Sequence, residues 1–330
     1  MKRWLSLILA ILVCFSLVAC TRGVSEESVL PTTQQQETQP TQQQAEQTAQ
    51  SAPLLYRVTD ENGNEIWLFG SIHVGQESFY PLPDYVQEAF ESADVLAVEF
   101  DILAFEADTT AQINSLQPLI YTDGTTIKDH IPADLYDKAV AILEEGGYYN
   151  AALDYYCPAM WSSFIDTMLY ENIGADSSLG IDRHLLTEAK EAQMPIESIE
   201  SAASQYLMMG SFSPELQRVL LEESVNCMEN MDLEKEALTN MMELWASGDE
   251  EAFVDYLYDE VDEEDPDYNL IIEYNKAMIE DRNVLMADYA EAALTSGKRV
   301  FICVGAAHVV GPGAMAELLA QRGYTVERVE

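Results

Sequence analysis

Apolar positions in this chain follow two periods, and the switches between them outline the elements. Apolar, β-rich runs at 54–59 and 65–70 flank Asp60-Glu61-Asn62-Gly63-Asn64. That pattern predicts a hairpin turned by Asn-Gly. Val86, Ala89 and Phe90 recur at helical spacing within 81–93, with proline near the start, so a helix follows. The next run, Val95-Leu96-Ala97-Val98-Glu99-Phe100, is a continuous apolar strand of the parallel, doubly covered kind, interrupted by Glu99. Strand, helix and strand in this compass predict a right-handed βαβ unit.

From about 102 to 269 the period is mainly helical. Residues 132–145 and 151–170 read as amphipathic helices, and Leu179-Gly180-Ile181-Asp182 leads into another that runs through Ala192. Residues 195–200 suit a short strand, while Leu238, Met241, Met242 and Trp245 mark one face of a further helix. Residues 270–294 predict a long helix with an inward stripe of Ile271, Tyr274, Met278, Arg282, Leu285 and Tyr289. A guanidinium on such a stripe is costly unless it snorkels outward, meets a carboxylate or serves a site. A second strand–helix–strand series closes the chain at 298–304, 312–322 and 324–329. The expected fold is α/β, a central sheet built from two βαβ-like units with a helical insertion at about 102–290.

The two units share a phrase. Leu68-Phe69-Gly70-Ser71-Ile72-His73-Val74-Gly75 and Cys303-Val304-Gly305-Ala306-Ala307-His308-Val309-Val310-Gly311 both read as an apolar run, Gly-x-x-His, and another glycine. Sixteen glycines and four histidines in 330 residues predict roughly 0.2 chance matches. Both copies fall at the carboxyl end of an apolar strand, where open α/β sheets place ligands. Either the two imidazoles cap turns through a ring N–H, or Gly70 and Gly305 let the backbone turn so that His73 and His308 converge. Two neutral imidazoles and a carboxylate make a transition-metal site. Glu99, at the end of a buried strand, is the first carboxylate candidate and Glu200 the second, since a carboxylate there needs a cation, a metal, a proton or a path to solvent. His130 and His184 read as structural or exposed. Neither a Gly-x-Ser-x-Gly elbow, a His-Glu-x-x-His helix, a Walker loop nor a dinucleotide fingerprint occurs.

Composition changes the picture at the amino terminus and in charge. Lys2 and Arg3 precede an apolar stretch from Trp4 to Val18 that ends Leu17-Val18-Ala19-Cys20. Residues 1–19 read as an export signal and resemble that of bacterial lipoproteins, which implies lipidation of Cys20. Residues 20–53 form a Gln/Thr-rich linker without apolar period, expected to be disordered. The remaining 54–330 form the body. A formal net charge of −42 argues against nucleic-acid binding. Cys157, Cys227 and Cys303 are too few and too widely spaced for a disulfide framework.

These motifs resemble the TraB/PrgY/GumN family, which includes the animal Tiki proteases. The likeness rests on Leu68 to Gly75 with Tyr80-Pro81-Leu82-Pro83, and on Ala93 to Glu99. It continues through Gly180-Ile181-Asp182, Ile199-Glu200 with Gln205, Asp281-Arg282-Asn283 and Val304 to His308 with Gly311. The resemblance implies an α/β core shared with erythromycin-esterase-like and haem-binding ChaN-like proteins, and metal-dependent peptidase chemistry. It places His73, His308 and Glu99 at a divalent metal (Mn, Co or Zn), turns Arg282 toward the cleft and puts Glu200 behind it. Glu99 or Glu200 would then act as general base, with Arg282 at the developing oxyanion. The expected protein is a lipid-anchored, extracytoplasmic metal-dependent hydrolase of the cell envelope acting on a peptide or small molecule. The alternative is a non-catalytic protein that sequesters a peptide signal or a metal or haem ligand.

Overall fold

The computed structural model describes residues 51–258 and 261–330. The signal segment, Cys20 and residues 21–50 of the linker lie outside them, as do positions 259 and 260. Ser51, Ala52 and Pro53 belong with the body. The Ala52 amide donates to the Ala246 carbonyl, and the Tyr85 hydroxyl donates to the Pro53 carbonyl at 2.5 Å.

Six strands make one sheet: β1 Leu55–Thr59, β2 Glu65–Ser71, β3 Val95–Val98, β4 Ile196–Ser198, β5 Val300–Gly305 and β6 Thr325–Val329. Their order is β4-β3-β5-β2-β1-β6. Strand β1 runs antiparallel to both β2 and β6, while β2, β3 and β4 join β5 in a parallel set. The expected hairpin is therefore present, with Thr59 opposite Glu65. Its connection is a five-residue loop rather than a two-residue Asn-Gly turn. The Asp60 carboxylate accepts from the amides of Asn62 and Asn64 at 2.9 and 2.8 Å, and Gly63 takes φ +83°.

The helices are α1 Asp84–Ser92, α2 Ile102–Ala107, α3 Thr109–Ser115, α4 Ala133–Glu145, α5 Pro158–Ile173, α6 Ile181–Glu191 and α7 Ala202–Gly210. They continue as α8 Pro214–Glu229, α9 Met231–Ser247, α10 Glu250–Leu257, α11 Tyr268–Asn275, α12 Asp281–Ser296, α13 Ala306–Val309 and α14 Met315–Gln321. No helix among the described residues is long and apolar enough to cross a membrane.

Three expectations shift. Each strand–helix–strand series holds parallel strands that are not neighbours: β5 intercalates between β2 and β3, and β2 and β1 lie between β5 and β6. Strand β5 is buried over Val300–Val304 and takes the centre, whereas β6 is mostly exposed and takes an edge. The helix expected over 151–170 starts at Pro158, since the residue before a proline is driven out of the helical region. Cys157 is extended at φ −69°, ψ 162°, and the helix runs on to Ile173 before Gly174 ends it at φ +81°. The long helix after 270 contains a five-residue π turn, Lys276–Glu280. That wider turn advances the inward stripe. Ile271, Tyr274, Met278 and Arg282 are buried as expected, but the stripe continues through Met286 and Ala290 while Leu285 is 46% exposed.

The core unites the sheet with the insertion. Phe69 of β2 contacts Phe301 of β5 at 5.6 Å between ring centroids and Trp245 of α9 at 6.5 Å. Trp245 also donates its indole N–H to the Gly70 carbonyl at 2.8 Å. This bond ties the end of β2 to a helix from the insertion.

Candidate functional site

Strands β2 and β5 are paired so that Gly70 faces Val304 and Ser71 faces Gly305. The two Gly-x-x-His phrases thus leave the sheet side by side at its carboxyl edge. Gly70 is glycine because a Cβ there would stand 3.0 Å from Ala306. Its absence lets α13 sit directly against the end of β2. Gly305 lets the Glu99 carboxylate lie against the backbone, with a hypothetical Cβ 3.3 Å from Oε1, and its amide donates to that oxygen at 2.9 Å.

The loop after β2 is clamped by the segment before α6. Gly180 packs against the His73 carbonyl, where a Cβ would lie 2.5 Å from the oxygen, and the Ile181 amide donates to the Ile72 carbonyl at 2.9 Å. This contact delivers Asp182 to His73, with Oδ1 and Nδ1 3.2 Å apart. The other histidine is held in a matching way. His308 Nδ1 lies 2.7 Å from Asn283 Oδ1, and the Asn283 amide donates to the Gly313 carbonyl at 2.9 Å. An Asn that donates through nitrogen offers its oxygen as acceptor. His308 therefore carries its proton on Nδ1 and presents an unprotonated Nε2.

That Nε2 is buried and has no hydrogen-bond partner among the described residues. His308 is 1% exposed. Burial first, and the nearby Arg282 charge second, push its pKa down to about 3, against the opposing pull of Glu99. The imidazole is neutral at physiological pH. His73 and His308 share a cavity of about 40 Å³, lined also by Met241 of α9 and by Phe253 and Leu257 of α10. It holds roughly three waters, far below the roughly 300–1,000 Å³ of a drug-sized ligand site. Ser71 and His73 also line a smaller cavity, about 10 Å³, that reaches Glu99 and Asp182.

Behind the histidines stands an ion-paired cluster. Arg282 Nη2 donates to Glu99 Oε2 at 2.6 Å and to Glu200 Oε2 at 2.8 Å, and its Nε donates to Glu200 Oε1 at 2.9 Å. Its remaining terminal nitrogen donates to the Met278 carbonyl at 3.2 Å. Gln205 Nε2 donates to Glu99 Oε2 at 3.2 Å and to Glu200 Oε2 at 2.9 Å. Burial works to raise the Glu99 pKa, but Arg282, then His308 and His73, then the Gly305 amide hold it well below the usual carboxylate range. Arg282 is directed to these carboxylates, and both Glu99 oxygens are engaged.

A divalent cation fits this donor set in part. The unpartnered His308 Nε2 beside His73 suits the nitrogen half of such a site. Among the described residues, however, no group of three or more His, Cys, Asp or Glu side chains is assembled to hold a metal ion. Glu99, neutralised by Arg282, does not complete one. The structure thus brings His73, His308, Glu99, Glu200 and Arg282 together. Asp182 and Asn283 lie inside motifs quoted above, yet spacing alone carried no signal of their roles. The two outlying histidines are occupied elsewhere: His130 stacks on Tyr121 at 4.2 Å, and His184 faces Glu188 at 3.4 Å.

Comparison with known proteins agrees with these motifs. The model of the TraB/PrgY/gumN family matches residues 54–328. A relative from Escherichia coli (strain K12) is 23% identical over 273 residues, covering 79% of this chain and 90% of that protein. One from Shigella flexneri is 23% identical over 263 residues, covering 76% and 86%. Both are described as uncharacterized proteins named YbaP. No solved structure matches this chain.

Proposed function

This chain belongs to the TraB/PrgY/gumN family, and from that premise we propose that the His73–His308 pocket is the centre of a metal-dependent hydrolase acting on peptides. The observation that carries the reading is His308 Nε2, a buried, unprotonated nitrogen without a partner in a cavity shared with His73. These two imidazoles would hold a divalent ion (Mn, Co or Zn), which when bound lowers the pKa of a water and polarises a carbonyl. Asp182 and Asn283 fix the two rings through their Nδ1 atoms. Glu99 lines a cavity with His73; to act as base or ligand it must yield its bond to Gly305 or to Arg282. Arg282 can serve a developing oxyanion only by releasing a carboxylate, so its first role is to keep Glu99 charged and to hold Glu200 in place. The reading includes an α/β core of the erythromycin-esterase and ChaN kind, and tethering outside the cytoplasm through a lipid on Cys20.

Metal analysis with a peptide-library cleavage assay on the full chain tests this. His308→Ala and His73→Ala should each lower cleavage by about 10²–10⁴-fold, and Asn283→Ala by about 10–100-fold. Unchanged cleavage in both histidine variants, with no metal bound to the parent chain, would refute it. For the anchor, Cys20→Ser should move the protein out of the membrane fraction; retention there counts against lipidation.

One observation favours capture without turnover: both Glu99 oxygens are bonded, so Glu99 does not stand as an idle base at the pocket. A peptide recovered intact after long incubation with Mn²⁺ or Co²⁺ would select that reading over hydrolysis.

A further inference from the structure

A wide cleft lies in the helical insertion, and none of its lining residues belongs to the histidine pocket. It is a cleft of about 980 Å³ between the carboxyl end of α4, the carboxyl half of α5 and the junction of α8 with α9. Its size is at the upper end of the roughly 300–1,000 Å³ typical of ligand sites. Gly146 and Gly147 end α4 there, and Gly146 lies directly under the Met168 side chain. Met168, Met228 and Met231, with Ile142 and Tyr148, give the cleft an apolar wall. Thioether side chains are flexible and polarisable, so such a wall moulds to varied apolar groups.

The remaining lining is acidic. Glu145, Glu171 and Glu229 stand at the rim, all exposed, against one cation, Lys138, which is itself paired with Glu229 at 3.0 Å. Glu145 and Glu171 make no ion pair among the described residues; Glu171 only accepts from the Tyr148 hydroxyl at 3.4 Å. An apolar wall with uncompensated carboxylates complements a partner that is apolar on one side and positive on the other. A second copy of this chain is a poor complement, with 58 acidic residues against 16 basic ones. An anionic lipid surface is repelled for the same reason.

We propose that this cleft is a binding site for cationic amphipathic peptide segments, with apolar side chains on the methionine wall and lysine or arginine at Glu145 and Glu171. The site goes beyond the hydrolase reading and does not rest on it, because binding here is measured without cleavage.

The test is fluorescence anisotropy with a labelled twelve-residue peptide of three Leu-Lys-Lys-Leu repeats, titrated with the full chain. Two control peptides replace every lysine by glutamate or every leucine by serine. Ala141 is exposed on α4 and lines the cleft, so Ala141→Trp fills it without entering the core. That variant should weaken binding about tenfold or more at an unchanged melting temperature. The double variant Glu145→Gln, Glu171→Gln should weaken it about tenfold, and both control peptides should bind at least about tenfold less tightly than the parent peptide. Equal binding by Ala141→Trp overturns the proposal, as does equal binding of the lysine–serine peptide, which would mean general attraction to an acidic surface. Self-association abolished by Ala141→Trp would assign the cleft to a second copy and overturn it as well.

Discussion

Arg282→Met is expected to destabilise the protein by about 3–5 kcal/mol at pH 7, the cost of leaving buried charge without its partner. The guanidinium is 6% exposed and bonds two carboxylates, Glu99 and Glu200, that also converge on Gln205. Without it, two negative groups face each other across a neutral amide. Methionine fills the volume, so packing loss is the smaller term. The pH dependence separates the two causes. In the parent chain Glu99 has a depressed pKa. Its contribution is present above the unfolded-state value, about 4.3, and is lost as pH falls through the lower folded-state value. In the variant Glu99 keeps its burial but loses the cation that opposed it, so it takes up a proton more readily than in the unfolded chain and the deficit shrinks on acidification. Adding Glu99→Gln and Glu200→Gln to Arg282→Met should restore most of the stability at pH 7. Urea unfolding across pH 4–8 reads this directly. A single variant that loses less than about 1 kcal/mol, or a triple variant no better than the single, would contradict the account.

Asp166→Asn is expected to stabilise the protein, and increasingly so as pH rises. Asp166 of α5 is 3% exposed inside the helical insertion, and its Oδ1 has no hydrogen-bond partner among the described residues. Burial, with the charge of Glu234 adding to it and the Ser224 hydroxyl opposing, pushes its pKa up to about 8. An unfolded aspartate loses its proton near 3.9. Between roughly pH 4 and 8 the folded state therefore holds more protons than the unfolded state, and stability falls across that window as pH rises. The amide removes the penalty. At pH 4 the two proteins should be about equally stable; by pH 8 the variant should lead by about 2–5 kcal/mol. Parallel stability curves from pH 4 to 8 would show that Asp166 is not the group responsible.

The sequence exposed the features set by local pattern. Continuous apolar runs located β2, β3 and β5, and helical spacing found α1, α9 and the inward face that carries Arg282 as far as Met278 and Tyr274. The histidines followed, because each sits a fixed step beyond a strand that pattern alone reveals. Pairing order was hidden, since nothing local tells β5 to enter between β2 and β3; only the competition for the most buried position decides it. The π turn at Lys276–Glu280 was hidden too, as a stripe stepping by three and four reads the same until the phase drifts. Asp182 and Asn283 were visible as letters but not as partners. Their meaning depends on contacts across 109 and 25 residues. The placement of Arg282 was half legible: its inward direction was apparent, its two-carboxylate grip was not.

The packing of α10 at the histidine cavity has a kinetic consequence. Tyr258, at the end of α10, donates its hydroxyl to the Ala307 carbonyl at 2.6 Å and lays its ring against Gly311. It thereby latches the end of α10, whose Phe253 and Leu257 line the His308 cavity with room for a few waters. Anything bulkier arrives at Nε2 no faster than that latch releases. The observed loading rate should therefore level off at high ligand concentration instead of climbing with it, and the plateau would be a clock for α10 rather than for the chemistry beneath.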